Sequence, residues 1–208
     1  MLIMDAVLET YEARGFTLWP VSEPSEDRLL RLCGDLSSRQ VGTAMAVLTS
    51  YNLRPRKRGE RQAADGVGQL RRLLAAECVV APGGLRVRDT VTGATVAPGC
   101  CFGLENWRDW FGLLDGEEPW LGHSPEPRVE HAGSVIRLWP DVDRQEGVPI
   151  TIPRAELREL LGSVQDDLSG FLSVVERWAS AYFADVTSGL VSALDEALAV
   201  SVALDDSP

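Results

Sequence analysis

The sequence predicts a single α+β domain with a small antiparallel sheet and long C-terminal helices. The length of 208 residues suits one domain. Apolar residues recur at helical spacing before residue 77 and after residue 154, and they alternate at strand spacing between these regions. We therefore expect one domain, 1–208, with a helical N-terminal half of about 1–77 and a sheet-containing C-terminal half of about 78–208. The sheet is expected to have about five or six strands.

The start of the chain is predicted from amphipathic periodicity. Leu2 to Arg14 carries apolar side chains on one helical face and acidic ones on the other, and Gly15 follows as a C-terminal stop. Phe16 to Val21 is predicted to be extended, with Pro20 favouring a sheet edge. A short helix is predicted within Ser25 to Leu36.

Two further helices are predicted in the N-terminal half. Ser38 to Tyr51 is amphipathic, and a helix is expected from about Gly66 to Glu77. The segment Arg54 to Arg72 carries seven basic residues and two acidic ones. The run Arg54 to Arg58 could grip an anion or RNA, but it has no aromatic residues to stack bases and no glycine loop to cradle a phosphate. The favoured interpretation is therefore a solvated loop between helices.

Strand alternation predicts two hairpins and a separate strand in the C-terminal half. The first hairpin joins Leu85 to Thr90 with Ala94 to Ala97, and the second joins Arg128 to His131 with Ser134 to Trp139. A glycine lies between the two strands in both cases, as hairpin turns favour. A short strand is predicted from Pro149 to Ile152.

Three more helices complete the prediction. Leu104 to Leu114 places aromatic residues on one helical face. Arg154 to Tyr182 has a long apolar stripe, which fits one long helix or two abutting ones. Asp185 to Leu204 is a final amphipathic helix.

The charge of the chain limits its function. A net charge of -11 and a pI near 4.7 argue against general nucleic-acid binding, because neutralising phosphates requires clustered Lys and Arg. No apolar run is long enough to cross a bilayer, and no secretory signal is recognised at the start. We therefore expect a cytoplasmic protein with a basic protein partner.

The cysteines are expected to be reduced thiols, because no export signal accompanies them. The adjacent pair Cys100 and Cys101 is unusual. It could supply thiolates to a metal ion alongside His123 or His131, or form a vicinal disulfide, yet no Cys-x-x-Cys pair preorganises a zinc site. The favoured interpretation is that the pair lies at a strand end, with one side chain buried and the other facing outward.

Enzymatic signatures are missing from the sequence. Phosphate-loop, dinucleotide, hydrolase and zinc-protease motifs do not occur, which favours a non-enzymatic protein, and we assign no catalytic residue, metal ligand or cofactor. The alternative is a small enzyme or metal-binding protein that uses His123, the Cys100 and Cys101 pair and nearby carboxylates.

Tryptophans are enriched at binding hot spots, and two of the six are the better surface candidates. Trp120 lies in a rigid loop with His123, and Trp139 ends the second hairpin. With the carboxylates near them, these residues form the predicted partner-binding set: Trp120, His123, Glu126, Glu130 and Trp139.

The segment Pro119 to His131, the hairpin through Asp141, the short strand and the helix ending at Trp178 resemble the Smi1/Knr4-type (SUKH) superfamily in the order of their elements. The resemblance covers about the last 100 residues. The chain also resembles actinobacterial proteins with Pro-Gly-Cys-Cys and Gly-His-x-Pro segments. Many bacterial SUKH members are immunity proteins that bind a toxin, so this resemblance implies a non-enzymatic, immunity-type or regulatory protein with a basic partner.

Overall fold

The computed structural model describes residues 1–53, 65–141 and 148–204, and these contain two antiparallel sheets and five α-helices. The strands are β1 (Leu2–Glu9), β2 (Leu29–Arg31), β3 (Gly83–Asp89), β4 (Thr95–Val96), β5 (Arg128–Ala132), β6 (Val135–Trp139) and β7 (Ile150–Pro153). The helices are α1 (Ser38–Asn52), α2 (Gly66–Leu74), α3 (Gly112–Asp115), α4 (Arg154–Tyr182) and α5 (Thr187–Leu198). The α+β class is confirmed, while the strands form a four-stranded and a three-stranded sheet instead of one.

The larger sheet has the order β2-β1-β3-β4. Its second strand, β1, corrects the prediction of a helix over Leu2 to Arg14, because only Tyr11–Ala13 of that stretch is helical, as a short 3-10 turn. Both hydrogen-bonding edges of β1 are paired, to β2 and β3, so its backbone is satisfied by the sheet. The N-terminal half is therefore built around a strand as well as around helices.

Two local predictions near β1 are also wrong. Phe16 to Val21 contains no strand, and Ser25 to Leu36 contains β2 in place of a short helix. The 3-residue strand β2 pairs with the end of β1, which is distant in sequence. This pairing, and not the local sequence, therefore determines the conformation of β2.

Helix α1 agrees with its prediction and begins with a capping box. The Ser37 side chain accepts a hydrogen bond from the Gln40 backbone N–H, and the Gln40 side chain accepts one from the Ser37 backbone. Helix α2 begins with the carboxylate of Asp65 accepting from the Gly68 N–H at 2.6 Å. Residues 54–64, which include five of the seven basic residues of the segment Arg54 to Arg72, lie outside the described residues.

The C-terminal half follows its prediction more closely. Both hairpins and the short strand are present, as β3 with β4 and as the second sheet β5-β6-β7. Helix α4 is one continuous helix of 29 residues. The predicted aromatic helix over Leu104 to Leu114 is instead a 3-10 stretch, Leu104–Phe111, followed by the single turn α3.

The hydrophobic core lies between the larger sheet and the helices. Helix α4 packs against β1, α1 and α5, and the 3-10 stretch packs against β3 and α5. Trp107 is fully buried, and its indole N–H donates to the Leu198 carbonyl at the end of α5 at 2.7 Å. No helix in the described ranges is both long and apolar enough to cross a membrane.

The opposite face of the larger sheet holds a buried carboxylate surrounded by arginines. Asp5 of β1 is fully buried and lies 3.0 Å from Arg86 and 2.9 Å from Arg88, both on β3. Arg31 of β2 lies 3.2 Å from Asp5 and also pairs with Asp167 of α4 at 2.7 Å. These ion pairs connect three strands and the long helix at one point.

Candidate functional site

Two loops cross at Cys100 and His123 and form an isolated antiparallel bridge. The Cys100 N–H donates to the His123 carbonyl at 2.7 Å, and the His123 N–H donates to the Cys100 carbonyl at 3.2 Å. The Gly99 N–H also donates to the Leu121 carbonyl at 3.1 Å. Three backbone hydrogen bonds therefore hold the Cys100 loop against the His123 loop.

Two glycines permit this close crossing. A Cβ atom on Gly99 would lie 2.6 Å from the His123 backbone nitrogen, and one on Gly122 would lie 2.6 Å from the Gly99 carbonyl carbon. Gly122 also has a φ of +94°, which side-chain-bearing residues rarely adopt. The two loops can therefore pack backbone against backbone because neither Gly99 nor Gly122 has a Cβ atom at the crossing.

The crossing brings both thiols of the cysteine pair to the imidazole. Cys100 Sγ lies 2.9 Å from His123 Nδ1, and Cys101 Sγ lies 3.9 Å from Cys100 Sγ. One ligand atom from each of the three residues lies within 4.8 Å of the other two. The structure thus assembles a cluster of Cys100, Cys101 and His123, which we call the thiol-imidazole cluster.

Backbone conformation explains why the two thiols share one side. Successive residues of a strand point to opposite faces, which underlies the expectation that one cysteine of the pair is buried. Cys101 instead has a φ of +69°, a left-handed conformation that interrupts the alternation. Cys100 is half-buried and Cys101 is exposed, so neither fills the hydrophobic core.

The electrostatics of the cluster favour the neutral form of the Cys100 thiol. Desolvation raises the pKa of the Cys100 thiol, and its hydrogen bond with Cys101 and the charge of Glu9 raise it further. The pKa of Glu9 is itself raised by burial. A nucleophilic cysteine requires a lowered pKa, so this arrangement does not favour an activated thiolate.

Trp120 lies beside the cluster with half of its surface exposed. Its ring lies 6.2 Å from the His123 ring and 6.5 Å from the Phe102 ring, the latter in an edge-to-face arrangement. Trp120 is 54% exposed. These two ring contacts support a large aromatic surface that remains open to solvent.

Trp120 lies on a segment rich in carboxylates, residues 115–126, which starts at the last residue of α3 and which we call the acidic loop. Its charged side chains are all exposed: Asp115, Glu117, Glu118 and Glu126. The loop contains no Lys or Arg. The predicted residues Trp120, His123 and Glu126 therefore lie on one acidic, solvent-facing segment.

The other histidine anchors the acidic loop to the body of the fold. Arg154 can only donate, so His131 Nδ1 accepts from it at 3.1 Å. Nε2 of the same ring then donates to the Glu117 carbonyl at 2.9 Å. Arg154 also donates to the Leu114 carbonyl at 2.8 Å. Sequence reasoning missed this anchor, because the three positions lie far apart along the chain.

Glu130 and Trp139 form a separate pair on the second sheet. The Trp139 indole donates to the Glu130 carboxylate at 3.2 Å, and Arg137 pairs with the same carboxylate at 3.2 Å. The Trp139 ring is half-buried, with the Arg128 guanidinium 5.2 Å from its centre. Trp139 therefore presents less free surface than Trp120, although the sequence favoured both equally.

No family model, curated protein or solved structure matches this chain. The resemblance to the SUKH superfamily stays a prediction.

Proposed function

We propose that the protein is a non-enzymatic binding domain that uses the acidic loop to bind a basic protein, with Trp120 as the aromatic anchor. One observation carries this proposal: Trp120 is 54% exposed, although its ring contacts the rings of Phe102 and His123. An aromatic ring already fixed in position loses little conformational freedom on binding, so more of its contact energy contributes to affinity.

The chemistry of the acidic loop indicates what the partner presents. Four exposed carboxylates surround the tryptophan in sequence, and the whole chain carries a net charge of -11. Carboxylates attract Lys and Arg side chains, and an indole face binds the same cations through its π system. The partner surface is therefore expected to be rich in Arg or Lys, with one cation positioned over Trp120.

The SUKH-type resemblance supports an immunity-type or regulatory form of this role, in which the partner is a basic toxin or enzyme held inactive in the cytoplasm. The predicted set Trp120, His123 and Glu126 forms the centre of the proposed surface. The other two predicted residues, Glu130 and Trp139, have a secondary role in the proposal, because their side chains already pair with each other on the second sheet.

The test is affinity capture of the tagged protein at low and high salt, followed by titration of the purified captured protein. Trp120→Ala should weaken binding at least about thirtyfold, because hot-spot aromatics contribute about 2 kcal/mol or more. Tyr11→Ala removes another exposed aromatic, 61% exposed, and should leave affinity unchanged. Structural integrity of each variant is checked by its thermal unfolding.

Charge is tested separately with Glu118→Gln and Glu126→Gln, using Glu176→Gln on α4 as an exposed control. The two loop variants should reduce the salt dependence of the dissociation constant, while the control should not. The absence of a basic partner at low salt would overturn the proposal. A partner that binds Trp120→Ala and the wild type equally would also overturn it.

A further inference from the structure

We propose that Cys100, Cys101 and His123 form a binding site for a borderline-soft metal ion of the Zn²⁺ type. The proposal goes beyond protein binding by the acidic loop and stands on the geometry of the thiol-imidazole cluster. Thiolate and imidazole are the ligands that zinc prefers, whereas Mg²⁺ and Ca²⁺ prefer oxygen.

Two of the three ligand-atom spacings lie close to those of tetrahedral coordination, and the third pair, Cys101 and His123, lies within 4.8 Å. Zn–S bonds of about 2.3 Å and Zn–N bonds of about 2.0 Å at tetrahedral angles place two sulfurs about 3.8 Å apart, and sulfur and nitrogen about 3.5 Å apart. The two Sγ atoms lie 3.9 Å apart in the cluster, already at this spacing. Cys100 Sγ and His123 Nδ1 lie 2.9 Å apart, so an ion entering between them separates these atoms by only about half an ångström.

The backbone holds the ligands in place without the ion. The Cys100 and His123 backbones are hydrogen-bonded to each other in both directions, and the glycine crossing keeps the two loops in contact. The left-handed conformation of Cys101 turns its thiol toward the same ion position. A preorganised site of this kind needs no folding transition on binding, unlike a zinc finger.

The site leaves one coordination position open. Among the residues that the structure describes, no further His, Cys, Asp or Glu ligand atom joins the cluster. Cys101 and His123 are exposed, so solvent reaches the ion position. A tetrahedral ion would therefore be held by three protein ligands, with water in the fourth position. Each ligating thiol releases its proton to the buffer when the ion binds.

The test is titration of the reduced full-length protein with Zn²⁺ against a chromophoric chelator, and with Co²⁺ by absorption spectroscopy. The expected result is one ion per chain and a thiolate-to-cobalt charge-transfer band. Cys100→Ser, Cys101→Ser and His123→Ala should each weaken binding by at least about 100-fold, since loss of a residue that only hydrogen-bonds to a metal ligand already costs about 10- to 100-fold. Cys78→Ser removes an exposed thiol outside the cluster and should leave the affinity unchanged.

A second measurement needs no substitution. Saturating Zn²⁺ should protect Cys100 and Cys101 of the wild-type protein from alkylation, as mapped by mass spectrometry, and should leave Cys78 reactive. Failure of the reduced wild-type protein to bind Zn²⁺ would overturn the proposal. Wild-type affinity in any one of the three ligand variants, or unchanged alkylation of the pair, would equally overturn it. Neither measurement involves a protein partner, so its outcome is independent of the test of the acidic loop.

Discussion

Asp5 and Arg86 face each other directly across β1 and β3, and the carboxylate of Asp5 is fully buried beneath the guanidinium. The same carboxylate meets Arg88 and Arg31, so three cations surround one buried anion. Arg31 Nε lies 3.2 Å from Oδ1 of Asp5, but this oxygen has no aligned hydrogen bond, so the attraction there is mainly Coulombic. Asp5 is therefore the common partner that holds these three arginines together on the outer face of the larger sheet.

Replacing Asp5 should therefore be costly. Asp5→Asn removes the central negative charge and leaves three arginines without their common partner, which should lower the free energy of unfolding by about 3 kcal/mol. The measurement is urea denaturation at neutral pH. Asp27→Asn is the matched control, because Asp27 also pairs with Arg86 but is 52% exposed. Its cost should be at most about 1 kcal/mol. Equal costs for the two variants would contradict the structural role assigned to Asp5.

Gly99→Ala should disrupt the crossing between the two loops. The new methyl group would lie 2.4 Å from the Pro125 carbonyl oxygen, so the backbones must separate. Overpacking of this kind costs about 1 to 3 kcal/mol. Amide hydrogen exchange at Cys100 and His123 should accelerate, because both N–H groups donate across the crossing.

Gly133→Ala is the control for the crossing. Gly133 has a φ of +64° but nothing within 4 Å of an added Cβ, so its substitution strains only the hairpin turn. Exchange at Cys100 and His123 should stay at the wild-type rate. If both variants accelerated these two amides equally, the close contact at Gly99 would not be what holds the loops together.

Glu105 should make stability depend on pH. Burial raises the pKa of Glu105, although its carboxylate accepts a hydrogen bond from the Ala81 N–H at 2.8 Å. A raised pKa in the folded state means that the native protein binds the proton more tightly than the unfolded chain does. The contribution of Glu105 to stability is therefore fully present below the unfolded pKa, near 4.5, and is lost as the pH rises through the raised folded pKa.

Glu105→Gln should remove this dependence. The amide oxygen can still accept from Ala81, but no charge is desolvated, so the variant should exceed the wild type in stability at pH 7 and approach it at acidic pH. The measurement is the free energy of unfolding of both proteins across this pH range. A stability difference that is constant with pH, or one that grows toward acid, would contradict the assigned cause.

The elements that local sequence determines were predicted well. Both hairpins followed from alternation and a turn glycine, and α4 followed from its long apolar stripe. Strand β1 was not recognised, although Leu2, Met4, Ala6 and Leu8 alternate at strand spacing. Its acidic residues Asp5 and Glu9 also fit the polar face of a helix, and eight residues could not decide between the two periods.

The sequence by itself determined the acidic charge, the composition of the acidic loop, and the presence of two adjacent thiols and two imidazoles. Tertiary structure alone decided that β1 pairs on both edges, that Asp5 is buried among arginines, and that Cys100 meets His123. The physical reason is that a contact between positions 23 residues apart depends on how two loops pack, here through the crossing of Gly99 and Gly122. Hydrophobic periodicity relates only residues that are a few positions apart in sequence. A crossing of two loops therefore leaves no periodic pattern from which it could be predicted.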